Sequence, residues 1–259
     1  MHICASKKVI FFLTMPKIEL KKLSVTYKNK KTKKETTALK GVSEVFEDVS
    51  FNVIVGPSGS GKTTLLKAIA GLVEIEGDIF VDDVDISSLS PSLRQVAYVS
   101  QEYILYPHMT VFDNIAFPLK AIKASKEEII EEIEKVSEAL GIRHLWSRKP
   151  KELSGGQMQR IALARAIVKK PSIYLFDEPL SNLASDMREE ERKLIKEVSK
   201  KYGATSLYVT HSMKEAFAIA DNIIVINDGE IVARGCVDEI RRSSEPTIRG
   251  MINAEFNSL

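Results

Sequence analysis

The sequence predicts an α/β fold carrying an inserted helical subdomain, and three observations predict it. Ile173 to Phe176 (IYLF), Ser206 to Val209 (SLYV) and Ile223 to Ile226 (IIVI) are continuous apolar runs separated by helical stretches. Strands buried on both faces by crossover helices have that composition. A fourth run, Phe51 to Val55 (FNVIV), stops abruptly at Gly56, and the pattern turns helical from Thr63. Finally, residues from about 102 to 160 read as helix between β-rich parts.

In chain order, residues 1–14 are expected to be a disordered extension, with Met15 as the working start. Val9 to Leu13, preceded by Lys7 and Lys8, is shorter than a secretory apolar core and lacks a small-x-small cleavage site. Neither it nor any later stretch approaches the roughly 20 apolar residues of a membrane span. Residues 15–27 then read as a first strand, with Ile18, Leu20 and Leu23 alternating. The basic stretch 28–37 is expected to be a solvated hairpin tip rather than a contact for nucleic acid or lipid. In the first helix Leu65, Leu66, Ile69 and Ala70 share a face, and Gly71 is the stop. EGDIFVDDVDI and RQVAYVS add a β-rich piece. Ser125 with Glu128 makes a capping box, after which Ile129, Ile130, Ile133, Val136 and Leu140 recur at helical spacing until Gly141. Residues 15–240 are expected to form the main domain, leaving 241–259 as a short C-terminal tail.

Composition narrows the function classes. Hydrophobic residues are 44% of the 259, enough for a sizeable core. The 37 Lys+Arg against 35 Asp+Glu leave a charge of +2, which gives no global argument for a nucleic-acid partner. Two cysteines, Cys4 and Cys236, exclude a disulfide framework and a Cys-based zinc site, and point to a reducing, cytosolic setting.

Gly56-Pro57-Ser58-Gly59-Ser60-Gly61-Lys62-Thr63 matches G-x-x-x-x-G-K-[ST] between a strand and a helix, the context that confirms a phosphate loop. Glycines let backbone N–H groups converge on phosphate oxygens, and the helix N-terminus adds favourable partial charge. Lys62 would neutralise the β/γ-phosphates, the Thr63 hydroxyl would sit on Mg²⁺, and Thr64 would reach the α-phosphate. Such a loop needs an acidic strand end. Asp177, after the apolar run, would bind Mg²⁺ through water, and Glu178 would act on the attacking water as general base.

Residues 153–157 read Leu-Ser-Gly-Gly-Gln, followed by a helical MQRIALARA. Lying between the phosphate loop and its acidic strand, this closely resembles the signature motif of the ATP-binding-cassette (ABC) family, and the resemblance extends over about residues 17–240. It implies a P-loop NTPase (RecA-like) core with an antiparallel β-subdomain and a helical subdomain at about 102–160, and it implies ATP and Mg²⁺ as ligands. Ser154, Gly155 and Gly156, with Gln157, would face the γ-phosphate held by the other subunit, as a helix N-terminus supplied in trans. Gln101 corresponds to the glutamine that senses Mg²⁺ and water and connects to the membrane subunit. His211 corresponds to the switch histidine on the γ-phosphate. Tyr27 would stack on adenine, or simply pack on its strand. One departure stands out: the family usually has Ser-x-Leu-Asp where this chain has Ser181-Asn182-Leu183-Ala184. The missing carboxylate normally helps coordinate the two sites of the dimer, and Asp186 starts from a different place.

The resemblance therefore implies two ATP molecules gluing a head-to-tail dimer of this chain, or of this chain with a related ATPase subunit. Separate permease subunits would dock near Gln101 and the helical insertion, on the cytoplasmic face of the membrane, with low basal hydrolysis. Tyr106 to Val111 and Asp113 to Leu119 resemble importer ATPases, particularly the carbohydrate-uptake branch, which implies an extracytoplasmic solute-binding protein in the same system. Polyamine and other importers share that tract, and amino-acid or inorganic-ion cargo and export remain alternatives. The carbohydrate branch usually adds a regulatory β-domain of about a hundred residues, for which residues up to Leu259 leave no room. Rival readings fit less well. A DNA-maintenance ABC ATPase needs a long coiled-coil insertion between Gly56 and Leu153, and a translation-type protein needs a second phosphate loop. A regulatory cassette with little hydrolysis has Ala184 as its only support.

Overall fold

The computed structural model describes residues 16–28, 33–48 and 50–256, without the side chains of residues 185 and 186. The expected extension at 1–14 lies outside the described residues. The chain opens with strands β1 (Ile18–Lys28), β2 (Glu35–Phe46) and β3 (Phe51–Val55), then helix α1 (Lys62–Ala70). Strands β4 (Glu76–Val81), β5 (Val84–Asp85) and β6 (Val96–Val99) lead into helices α2 (Val111–Ala121), α3 (Lys126–Ala139) and α4 (Gly155–Ile167). Then come β7 (Ile173–Asp177), α5 (Ser185–Tyr202), β8 (Thr205–Thr210), α6 (Met213–Ile219), β9 (Asn222–Asn227) and β10 (Glu230–Gly235). Helices α7 (Val237–Arg242) and α8 (Pro246–Phe256) follow.

Two sheets result. One is antiparallel, in the order β2-β1-β4-β5. The other runs β10-β9-β3-β8-β7-β6, with all neighbours parallel except β10 on β9. The parallel strands feed two cores at once, because successive side chains point to opposite faces. Tyr174, Phe176 and Tyr208 pack with Phe51 and Val53 under the helices α2 to α6. Ile173, Leu175, Leu207 and Ile54 face α1 and the antiparallel sheet. In β1 the alternation carries a break: Ile18 and Leu20 are buried, then Leu23 and Val25. The register shifts between Leu20 and Leu23, where Lys22 has φ 48°, so the bulge returns the apolar residues to the same face.

Several local expectations change. Residues 35–37 are not hairpin tip but the start of β2, paired with Lys28, Tyr27 and Thr26. Ile130 leaves the buried stripe of α3 and is exposed, while Ile129, Ile133, Val136 and Leu140 are buried. The Ser125–Glu128 capping box forms, with Glu128 N–H on Ser125 Oγ at 3.2 Å and Ser125 N–H on Glu128 Oε2 at 2.9 Å. The helical stretch runs on past residue 160 to Ile167. The C-terminal segment is folded as far as Phe256, with Ile248 fully buried against the main core. Arg94, buried, ties the end of α1 to the β6 side by donating to Ala68 O, Ile69 O, Ser87 O and Leu89 O. Among the described residues no helix is long and apolar enough to cross a membrane.

Candidate functional site

The strand order places the chemistry. β3, β8, β7 and β6 are consecutive neighbours and parallel, so the segments leaving their C-terminal ends lie side by side. Val55 pairs with Thr210, Asp177 with Val209, and Val99 with Phe176. The residues that follow these pairs are the phosphate loop, His211, Glu178 and Gln101.

The loop itself is dictated by close backbone approach. A Cβ on Gly56 would stand 2.0 Å from Ile226 O, and one on Gly61 would stand 2.6 Å from Ala38 O at a φ of 106° that L side chains rarely adopt. Gly61 also starts α1, and no side chain caps that helix. Its first-turn N–H groups are thus available to an anion. Lys62 is buried, and its Nζ donates to Gly56 O and Pro57 O, both at 2.8 Å. Burial lowers its pKa, with Glu178 and Asp177 pulling the other way. The cavity here is lined by Ala38, Ser58 to Thr64 and Glu178. Ser60 Oγ is buried there without a partner among the described residues. Tyr27 is half exposed, with its hydroxyl 3.4 Å from Thr64 Oγ1, beside the start of α1.

At the end of β7 the Thr63 hydroxyl donates to Asp177 Oδ1 at 2.8 Å, and Tyr98 Oη–H donates to Asp177 Oδ2 at 2.6 Å. Burial first, then that bond to Asp177, push the Tyr98 phenol far above its ordinary range, so it stays a donor. Thr63 and a buried carboxylate form an all-oxygen set that fits a small hard cation such as Mg²⁺. Glu178 adopts a left-handed φ of 47°, held by its N–H on Val209 O at 3.1 Å and by Ser181 Oγ donating to its carbonyl at 2.9 Å. That conformation costs a non-glycine residue about 1–2 kcal/mol, the kind of strain that collects at functional sites. Glu178 Oε2 lies 3.2 Å from His211 Nδ1.

Not every candidate joins this cluster. Gln101 is exposed; Asn182 Nδ2 donates to its carbonyl at 2.8 Å, and no hydrogen bond joins its side chain to Thr63 or Asp177 among the described residues. Ser154 caps α4 in a capping box with Gln157. Gly155 and Gly156 form the first turn, where a Cβ on Gly156 would stand 2.6 Å from Met187 Cε. None of residues 154–157 lines the cavity at the phosphate loop of the same chain. Ala184 starts α5 with no side-chain cap. The Asp186 side chain lies outside the described residues. Two contributors were missed in the sequence, Tyr98 and Asn182. A polar tip on a strand aromatic was the available signal for Tyr98, but its partner depends on β6 lying next to β7.

A phosphate loop opening a helix beside an acidic strand end, on a parallel sheet, defines a nucleotide-binding P-loop fold. The chain belongs to the ABC transporter family, whose model matches residues 39–181. It is 46% identical over 213 residues to the trehalose/maltose import ATP-binding protein MalK of Thermococcus litoralis, covering 80% of this chain and 57% of that one. It is 50% identical over 195 residues to the sn-glycerol-3-phosphate import ATP-binding protein UgpC of Psychromonas ingrahamii, covering 75% of this chain and 52% of that one. The chain thus spans just over half the length of these curated relatives. A solved dimeric ATP-binding cassette in a post-hydrolysis state, bound to ADP and Pi, is 31% identical with a TM-score of 0.75, over 85% of this chain and 98% of that one.

Proposed function

We propose that this chain is the ATP-binding, ATP-hydrolysing subunit of an ABC import system whose cargo is a carbohydrate or a related phosphorylated polyol. The observation that carries the reading is the Glu178–His211 pair, 3.2 Å apart on the same sheet edge as Lys62 and Asp177. Lys62 and the open start of α1 bind the phosphates, and Tyr27 flanks the adenine side. Thr63 and Asp177 would hold Mg²⁺, which would supply positive charge against the developing charge of the phosphates. Glu178 takes the proton of the attacking water, and His211 keeps that carboxylate in place. Residues 154–157 lie apart from the loop of their own chain, which favours their supplying the second half of the pocket to a second copy. Gln101 then links the site to permease subunits at the cytoplasmic face of the membrane, in a system that also holds a solute-binding protein. The trehalose/maltose and sn-glycerol-3-phosphate import ATP-binding proteins among the relatives support the cargo class.

Glu178→Gln tests this. Removing the base is expected to lower ATP hydrolysis at least 100-fold and to leave an ATP-bound dimer on light scattering. A variant that stays monomeric at saturating ATP overturns the dimer reading, and one that hydrolyses at the parental rate overturns the role of Glu178.

A further inference from the structure

The loop that carries His211 is held from an unexpected direction. His211 lies between Thr210, the last residue of β8, and Ser212, which caps α6. A helix start leaves its first N–H groups without intrahelical partners, so each must be accounted for. In α6 the Glu215 N–H goes to Ser212 Oγ at 3.2 Å and the Ala216 N–H to Ser212 O at 3.1 Å. The remaining two, Met213 and Lys214, donate to Glu255 Oε1 at 2.8 Å and Glu255 Oε2 at 2.9 Å. Ser212 Oγ–H also donates to Glu255 Oε2, at 3.1 Å. The Ser212 N–H goes to Thr210 Oγ1 at 3.1 Å, so one carboxylate from α8 takes the two first-turn amides that neither Ser212 nor Thr210 accepts, and it takes them next to His211.

Ile248, fully buried, and Phe256, which packs on Phe217 of α6 at 6.0 Å between ring centroids, hold that carboxylate there. Thr247, at the other end of α8, instead accepts from Asn227 Nδ2 at 3.3 Å at the end of β9. The cleft under α8 is lined by Gly56 and Pro57 of the phosphate loop, by His211, and by Met251 and Glu255. A carboxylate at a helix N-terminus is also favoured by the helix dipole.

We propose that Glu255 is a positioning residue for hydrolysis: by clamping Ser212, Met213 and Lys214 it fixes the backbone from which His211 meets Glu178. The kinetic part of this rests on the ATPase reading above; the structural part does not.

The test compares Glu255→Ala, the near-isosteric Glu255→Gln, and Thr247→Val as a change elsewhere on α8. Hydrogen exchange is measured at Met213 and Lys214, and ATP hydrolysis is measured with the whole chain. Glu255→Ala is expected to speed exchange at those two amides about tenfold and to lower kcat about tenfold with KM for ATP within twofold. Glu255→Gln, which keeps an acceptor without the charge, is expected to fall between it and the parent. Thr247→Val is expected to lower the melting temperature while leaving both exchange and kcat within twofold. Unchanged exchange in Glu255→Ala, a kcat within twofold of the parent, or an equal kcat loss in Thr247→Val overturns the proposal. Faster exchange in Glu255→Ala, together with a parent chain that hydrolyses no ATP, upholds the clamp and instead overturns the ATPase reading.

Discussion

Helix α1 starts on Gly61, whose left-handed backbone brings no side-chain oxygen, whereas α4 starts on Ser154, locked into a capping box with Gln157. In α4 the Gln157 N–H is taken by Ser154 Oγ at 3.3 Å and the Ser154 N–H by Gln157 Oε1 at 3.0 Å. The N–H groups of Gly155 and Gly156 are the donors that this box leaves over. The two helix starts thus offer phosphate different things. The first offers a complete turn of amides beside a buried ammonium. The second offers two amides and a hydroxyl on a preformed frame, with no basic residue in its first turn. Under the proposed function, that difference suits the first end to bind nucleotide within a single chain and the second to complete the pocket of another.

Lys62→Ala breaks the first end and carries the largest expected effect. It removes the ammonium proposed to contact phosphate and breaks the Lys62 bonds to Gly56 O and Pro57 O, at roughly 1–3 kcal/mol for each lost interaction. Nucleotide affinity, measured by titration calorimetry, is expected to fall about 100-fold. An affinity within threefold of the parent would assign phosphate binding to the α1 amides alone.

Ser154→Ala breaks the second end. Loss of the cap is expected to cost about 1 kcal/mol of stability, seen in urea unfolding. Hydrolysis by the dimer is expected to fall about tenfold, with ATP affinity of the dilute monomer within twofold. A matching loss of monomer affinity would place the signature helix at the phosphate loop of its own chain and undo the comparison.

Much of this was legible in the sequence, and for identifiable reasons. Strands buried on both faces must be apolar throughout, so β3, β7, β8 and β9 announced themselves, and the loop needed glycine wherever a Cβ would strike backbone. What the sequence hid depends on which elements become neighbours. Tyr98 reaches Asp177 because β6 lies beside β7, and Glu255 reaches Met213 across 42 positions. The polar residues Glu35, Thr36 and Thr37 read as a tip because their side chains are exposed, yet their backbone completes the ladder with β1. Ile130 followed the helical repeat, but α3 turns that side to solvent.

A third helix start gives the finest comparison and the smallest expected effect. Ala184 begins α5 with φ −62° and ψ 152°, the extended geometry of a helix cap, but it has no oxygen to offer the first turn. An aspartate fits that backbone without rearrangement, because cap residues with a short carboxylate favour the same region. Ala184→Asp is therefore expected to add about 1 kcal/mol, raising the melting temperature by roughly 2–4 °C for a chain of this size. The residue also follows Leu183, whose Cδ2 would stand 3.6 Å from a Cβ placed on the signature glycine Gly155. Steady-state hydrolysis in the same variant separates the two consequences of a carboxylate there. Stabilisation with an unchanged rate makes position 184 a helix cap and nothing more. Stabilisation with a steeper dependence on ATP concentration makes it a cap that also carries the contact between the two sites.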